Sequence, residues 1–162
     1  MNALDKILKL GNPLLYEQSV PVKIEEIAFL KKTFDEMHDI LFEFRKIYGM
    51  GRAIAAPQIG VLKRIIYMHI NGESHIIINP ELHNLSYETF ELWDDCLSFP
   101  SLLVKVRRHK SCTLKYMNEL WEEKSWEMKD DLSELIQHEY DHLEGILAVQ
   151  RAIDSKAFKW NE

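Results

Sequence analysis

Helix, a run of antiparallel strands, then a second helix: read along the 162 residues, this order predicts an α+β domain. Three patterns carry that expectation. Ile24, Ile27, Leu30, Phe34, Met37, Leu41 and Phe44 recur at steps of three or four, the apolar stripe of a long N-terminal helix that runs to about Tyr48 and stops at Gly49. Alternating segments fill the middle of the chain, with a strong hairpin signal at Asn71-Gly72. Around Asp131 the apolar period lengthens from two towards that of a helix.

Taken in order, the first helix carries Glu25, Lys31, Lys32, Asp35 and Glu43 on its other face, so its role is to pack a core. Strands are expected over residues 64–70, 75–79, 102–108, 112–117 and 120–128, with Asn118-Glu119 turning between the last two. The middle is all strand, which disfavours a parallel βαβ sheet. Lys105, Arg107, Arg108 and Lys110 fall in one of these strands and read as a solvated edge. Asp130 or Asp131 is placed to cap the C-terminal helix, Glu134 adds negative charge near its start, and Gly145 offers a stop. Leu132, Leu135, Ile136 and Leu143 supply its buried positions. The length suits a single domain spanning 1–162.

Composition excludes several classes of function. A net charge of −6 and the lack of a long basic block argue against sequence-specific nucleic acid as a partner. No stretch approaches the ~20 apolar residues of a membrane span. Residues 1–11 mix Asp5, Lys6 and Lys9 among apolar side chains, which is no secretory signal. Two cysteines are too few for a disulfide framework, so the cytoplasm is the expected compartment and metal binding or catalysis the expected use of an unusually placed thiol.

The chemistry concentrates at His138-Glu139-Tyr140-Asp141-His142. Histidines four apart on a helix share one face, so both imidazoles reach a single metal. Glu139 follows the first histidine and falls beside the ion rather than among its ligands, as general base. Neutral imidazoles leave a dication positive enough for water to lose its proton near neutral pH, and a carboxylate can take that proton and pass it to a leaving amine. An amphipathic helix with two histidines at its polar margin fits the same five residues.

Such sites want a third protein ligand. After His142 the chain offers Glu144, Asp154 and Glu162, none at a spacing typical of zinc proteases. Upstream lies Cys96, in Asp94-Asp95-Cys96-Leu97-Ser98-Phe99-Pro100. A thiolate with two imidazoles would leave a dication with about one positive charge, which hydroxide neutralises. Taken alone, Cys96 reads first as a buried structural cysteine; Cys112, in an apolar strand, reads as core. A third segment, Gly51-Arg52-Ala53-Ile54-Ala55-Ala56-Pro57-Gln58-Ile59-Gly60, is rich in small residues. It is either a plain loop or a close-approach surface on which the Gln58 amide stabilises an oxyanion.

Together and in this order, Ala55-Ala56-Pro57-Gln58, Cys96-Leu97-Ser98 and Gln137-His138-Glu139-Tyr140-Asp141-His142-Leu143 resemble the peptide deformylase family. An early Gly11-Asn12-Pro13-Leu14-Leu15 and the strand ending Val106-Arg107-Arg108 extend the resemblance over nearly the whole chain. The resemblance implies an α+β fold with antiparallel sheets around the C-terminal metal-binding helix carrying HExxH. It implies Cys96, His138 and His142 as ligands of one divalent metal, Fe²⁺ favoured, with Zn²⁺, Ni²⁺ or Co²⁺ able to replace it. Glu139 would be the acid/base, and Gln58 with the Leu97 N–H would hold the oxyanion. The implied reaction is removal of the formyl group from the N-terminal methionine of nascent chains at the ribosome, so N-formyl-methionyl peptides are the expected partners. The chain departs from the family pattern at Gly51-Arg52-Ala53-Ile54, where the family has Gly-apolar-Gly-apolar, and at Asp94-Asp95, where it has Glu-Gly. Arg52, Ala53, Ile54 and Asp95 therefore fall on the substrate side. The alternative they leave open is a deformylase-like metal-binding homologue with weak activity or an altered N-acyl preference.

Overall fold

In the computed structural model, which describes residues 2–162, Leu30, Phe34, Met37, Ile40, Leu41 and Phe44 form one buried side of helix α1 (Ile27–Tyr48). Gly49 ends it in the left-handed conformation, returning its N–H to the Arg45 carbonyl at 2.8 Å. The chain then runs through β1 (Ala53–Ala55), β2 (Ile65–Ile70), β3 (Glu73–His83), β4 (Thr89–Asp94), β5 (Leu102–His109), β6 (Ser111–Met117), β7 (Glu123–Lys129), helix α2 (Asp131–Leu143) and β8 (Phe158–Trp160). Two sheets result, ordered β1-β2-β3-β6-β7 and β4-β5-β8, with every strand pair antiparallel.

The period-two alternation of β1 and β2 sorts side chains between the two helices. Ile54, Ile65 and Tyr67 point into the cluster packed on α1, while Ala53, Ala55, Ile66 and Met68 point into the one packed on α2. α2 brings Leu135, Ile136 and Leu143 to that second cluster and touches β5 of the smaller sheet as well. At 13 residues α2 is near the length at which isolated helices are marginal, so burial between the sheets is what stabilises it. Its last turn is closed by the N-terminal segment and by Arg64: the Leu143 carbonyl accepts from Ser19 N–H at 2.8 Å and from Arg64 Nη1 at 3.1 Å. Gly145 follows with φ +73°, and a Cβ there would lie 2.5 Å from the Tyr16 carbonyl oxygen, so no other residue fits.

Several boundaries differ from the sequence expectations. Residues 24–26 are a 3-10 turn, and the α-helix starts at Ile27. The strand expected over 75–79 extends over Glu73–His83, with an irregularity between Ile78 and Glu81. The one expected from 120 begins at Glu123, because Asn118 accepts from the Leu120 and Glu122 N–H groups and holds a turn there. β1, within the small-residue segment expected as a loop or close-approach surface, is a strand, and β4 and β8 lie outside the expected strands. Asp130 does stand at the start of α2, but its side chain makes no capping bond, and Leu132 is half-buried rather than buried.

Candidate metal centre

α2 sets His138 and His142 one turn apart, with ring centroids separated by 5.0 Å. Cys96 reaches them from the loop after β4, a tight turn fixed by Phe99 N–H on the Cys96 carbonyl and by Leu10 N–H on the Ser98 carbonyl. The Cys96 Sγ lies 3.4 Å from His142 Nε2, and one ligand atom from each of Cys96, His138 and His142 falls within 4.8 Å of the others. All three residues are buried. One sulfur and two imidazole nitrogens converging in a water-poor setting form a donor set that fits a divalent transition metal.

Behind the histidines runs a chain of alternating charges. Asp94, the last residue of β4, accepts from His138 Nδ1 at 2.8 Å and from Arg108 Nη2 at 3.3 Å. Arg108 Nη1 donates to Asp141 Oδ2 at 2.6 Å, and Asp141 Oδ1 accepts from Arg151 Nη2 at 3.0 Å. With Nδ1 committed to Asp94, His138 keeps Nε2 free for an ion. Burial works against a charged Asp94 carboxyl, but His138 and Arg108 outweigh it and hold the group below its ordinary value. Burial likewise disfavours a protonated His138, and Asp94 and Cys96 overcome that, raising it well above its ordinary value. For His142 burial prevails, reinforced by His138, and lowers it well below.

This network corrects the reading of Arg108 as part of a solvated edge. Arg108 is 4% exposed. The signal was available in the alternation of β5: Arg108 shares its face with the buried Val104 and Val106, while Lys105 and Arg107 point the other way.

In front of α2 opens a cavity of about 260 Å³ whose lining includes Phe44, Met50, Leu97 and Leu135, with Arg52, Ala53, Asp95 and Glu139 as further lining residues. Glu139 is buried, and its Oε2 has no hydrogen-bond partner among the described residues. Burial raises its carboxyl to about 7; His138 and Arg52 oppose the rise, and Asp94 and Glu134 add to it. Gln58, on a 3-10 turn just after β1, accepts from Ala55 N–H through Oε1 at 2.9 Å. That bond turns its Nε2 towards Ser98 Oγ at 3.2 Å and Cys96 Sγ at 3.5 Å. Among the described residues, the Leu97 N–H takes no part in the backbone hydrogen bonds that shape its loop.

The residues expected on the substrate side divide. Ala53 lines the cavity, as do Arg52 and Asp95. Ile54 does not: strand alternation points it into the core against α1, where it is fully buried. Arg52 is already engaged, its Nη2 on the buried Glu134 carboxylate and its Nη1 on the Asp131 carbonyl at 3.3 Å. Burial works against the charged guanidinium, yet Glu134 more than restores it. β1 is the outer strand of its sheet. His69 N–H donates to the Arg52 carbonyl at 2.9 Å, so alternation leaves the N–H and C=O of Ala53 on the free edge.

Comparison with known proteins agrees with this arrangement. The family model described as polypeptide deformylase matches residues 4–158. A protein named peptide deformylase 2 from Clostridium perfringens is 37% identical over 152 residues, 93% of this chain and 94% of that protein. A peptide deformylase from Thermotoga maritima is 34% identical over 152 residues, 93% of this chain and 88% of that protein. The crystal structure of peptide deformylase from Thermotoga maritima superposes with a TM-score of 0.83 at 33% identity, covering 91% of this chain and 97% of that one.

Proposed function

Because this chain belongs to the polypeptide deformylase family, we propose the following division of labour among its residues. The protein is a metal-dependent hydrolase that removes the N-formyl group from the N-terminal methionine of nascent polypeptides and releases formate. Cys96, His138 and His142 hold the ion, which when bound supplies the positive charge that makes water nucleophilic near neutral pH. Glu139 accepts a proton from the attacking water and returns it to the departing amine. Burial raises this carboxyl above its ordinary value, which favours its taking up the proton. Gln58 Nε2 and the Leu97 N–H stabilise the negative charge that gathers on the former carbonyl oxygen. The free edge of Ala53 pairs with the main chain of the substrate, and the apolar lining from Phe44, Met50, Leu97 and Leu135 receives the methionine side chain.

The observation that carries this reading is the meeting of one sulfur and two imidazoles beside a buried carboxylate that opens on a cavity. Fe²⁺ is the ion we assign. A thiolate with two imidazoles also suits Zn²⁺, Ni²⁺ and Co²⁺, and affinity alone favours zinc over iron. The enzyme meets its substrate in the cytoplasm, as the chain leaves the ribosome; no described helix is long and apolar enough to cross a membrane. Metal analysis and formate release on protein purified without oxygen test the whole reading. One iron per chain and turnover of several formyl-Met peptides are expected. Iron-loaded protein that releases no formate from any of them would overturn it.

A further inference from the structure

The edge strand at the site is only three residues long and is preceded by Gly49, Met50, Gly51 and Arg52, a segment with two glycines at positive φ. Such a segment is loose unless something outside it fixes the backbone. One side chain does. Arg45, in the last turn of α1, donates through Nε to the Gly51 carbonyl at 2.6 Å, through Nη2 to the His69 carbonyl, and through Nη1 to His69 Nδ1 at 2.6 Å. His69 closes the circuit, since its own N–H holds the Arg52 carbonyl. The guanidinium lies 5.2 Å from the centre of the Phe42 ring, which meets the His69 ring edge-on at 4.7 Å. Beneath it Gly51 is pressed on α1: a Cβ there would lie 3.2 Å from Phe44 Cδ1.

Arg45 does not line the cavity in front of α2 and is on neither side of the charge chain behind it. One of its bonds ends on the Gly51 carbonyl just before Ala53, and the other two on His69, whose N–H holds the Arg52 carbonyl. We propose that Arg45 is a positioning residue for substrate: it fixes Gly51 and Arg52 so that the free edge of Ala53 is presented in one register. The inference rests on the reading of that edge as the substrate's main-chain partner. It follows that Arg45 acts on affinity while leaving the ion and Glu139 undisturbed. A lysine cannot replace it, because one ammonium cannot serve three acceptors on two segments at the spacing of a planar fork.

The test is steady-state kinetics, metal content and amide hydrogen exchange on Arg45→Met and Arg45→Lys in the iron-loaded enzyme. Arg45→Met should raise KM roughly tenfold, with kcat within about twofold and metal content unchanged. Arg45→Lys should recover only part of the loss. Exchange at residues 51–55 should accelerate while α2 keeps its protection. An unchanged KM, or a fall in kcat together with metal content, overturns the proposal. Should Arg45→Met fail to fold, His69→Leu removes one acceptor of the clamp and should raise KM by roughly threefold; an unchanged KM there also overturns it. The exchange measurement stands apart from catalysis. If the unaltered enzyme released no formate, the deformylase reading would fail, while unaltered exchange at 51–55 in Arg45→Met would count against the clamp alone.

Discussion

The two sides of α2 treat their charges differently. Behind it, Asp141 takes two arginines, and Asp94, which also reaches the cavity wall, takes Arg108 and His138, so these carboxylates are neutralised and fixed in place. On the cavity wall Glu139 Oε2 has no partner among the described residues, and Arg52, whose side chain is 41% exposed, pairs with the buried Glu134. The closed side fixes geometry. The open side leaves a carboxylate able to change its proton, since a group bonded on all sides would resist doing so. The same helix thus separates holding an ion from moving a proton.

Four substitutions break or sharpen that contrast. Cys96→Ala should do most damage: it removes the sulfur from a three-ligand set, and formate release should fall by about 10³ or more together with metal content, measured on the same sample. Retention of a full metal complement would contradict the assignment of Cys96. Glu139→Gln should lower kcat by about 10²–10⁴ while the metal stays bound, because only the proton carrier is lost; loss of metal there would mean that the carboxylate is a ligand. Asp94→Asn changes the closed side, weakening the hold on the His138 tautomer, and should reduce metal affinity by about 10–100-fold in a chelator competition. Arg52→Met should have the smallest effect, a few-fold change in kcat/KM that differs between acidic and basic residues after the methionine. Its guanidinium is already paired with Glu134, so a large new attraction for acidic peptides is not expected. Identical ratios across a charged peptide panel would show that Arg52 does not read the substrate.

Much of this was legible in the chain because it depends on spacing. The α1 stripe, the hairpin at Asn71-Gly72 and the histidine pair announce themselves through steps of three, four or two, and the structure places them accordingly. What was hidden depends on partners far away in sequence. β1 looks like a loop because alanines carry no strand preference; it is a strand because β2 pairs with it. β8 lies exposed at the end of the chain and exists through its pairing with β5. Arg108 looked solvated among its basic neighbours, and only its parity with Val104 and Val106 betrays that it faces inward. Ile54 shows the same rule from the other direction: neighbour to a cavity residue in sequence, it belongs to the opposite face. Arg45 carried no signal at all, because its acceptors are main-chain oxygens and a ring nitrogen brought near by the fold.

The end of α2 has one further meaning. The donors that satisfy Leu143, next to His142, come from Ser19 and Arg64, and Tyr16 presses on the glycine that lets the chain turn away. A fragment lacking the first twenty residues would leave the Leu143 carbonyl to Arg64 alone, beside an ion-holding histidine. Capture of the ion is in this way tied to the docking of residues 16–19 and Arg64 on the end of α2, segments far from it in sequence.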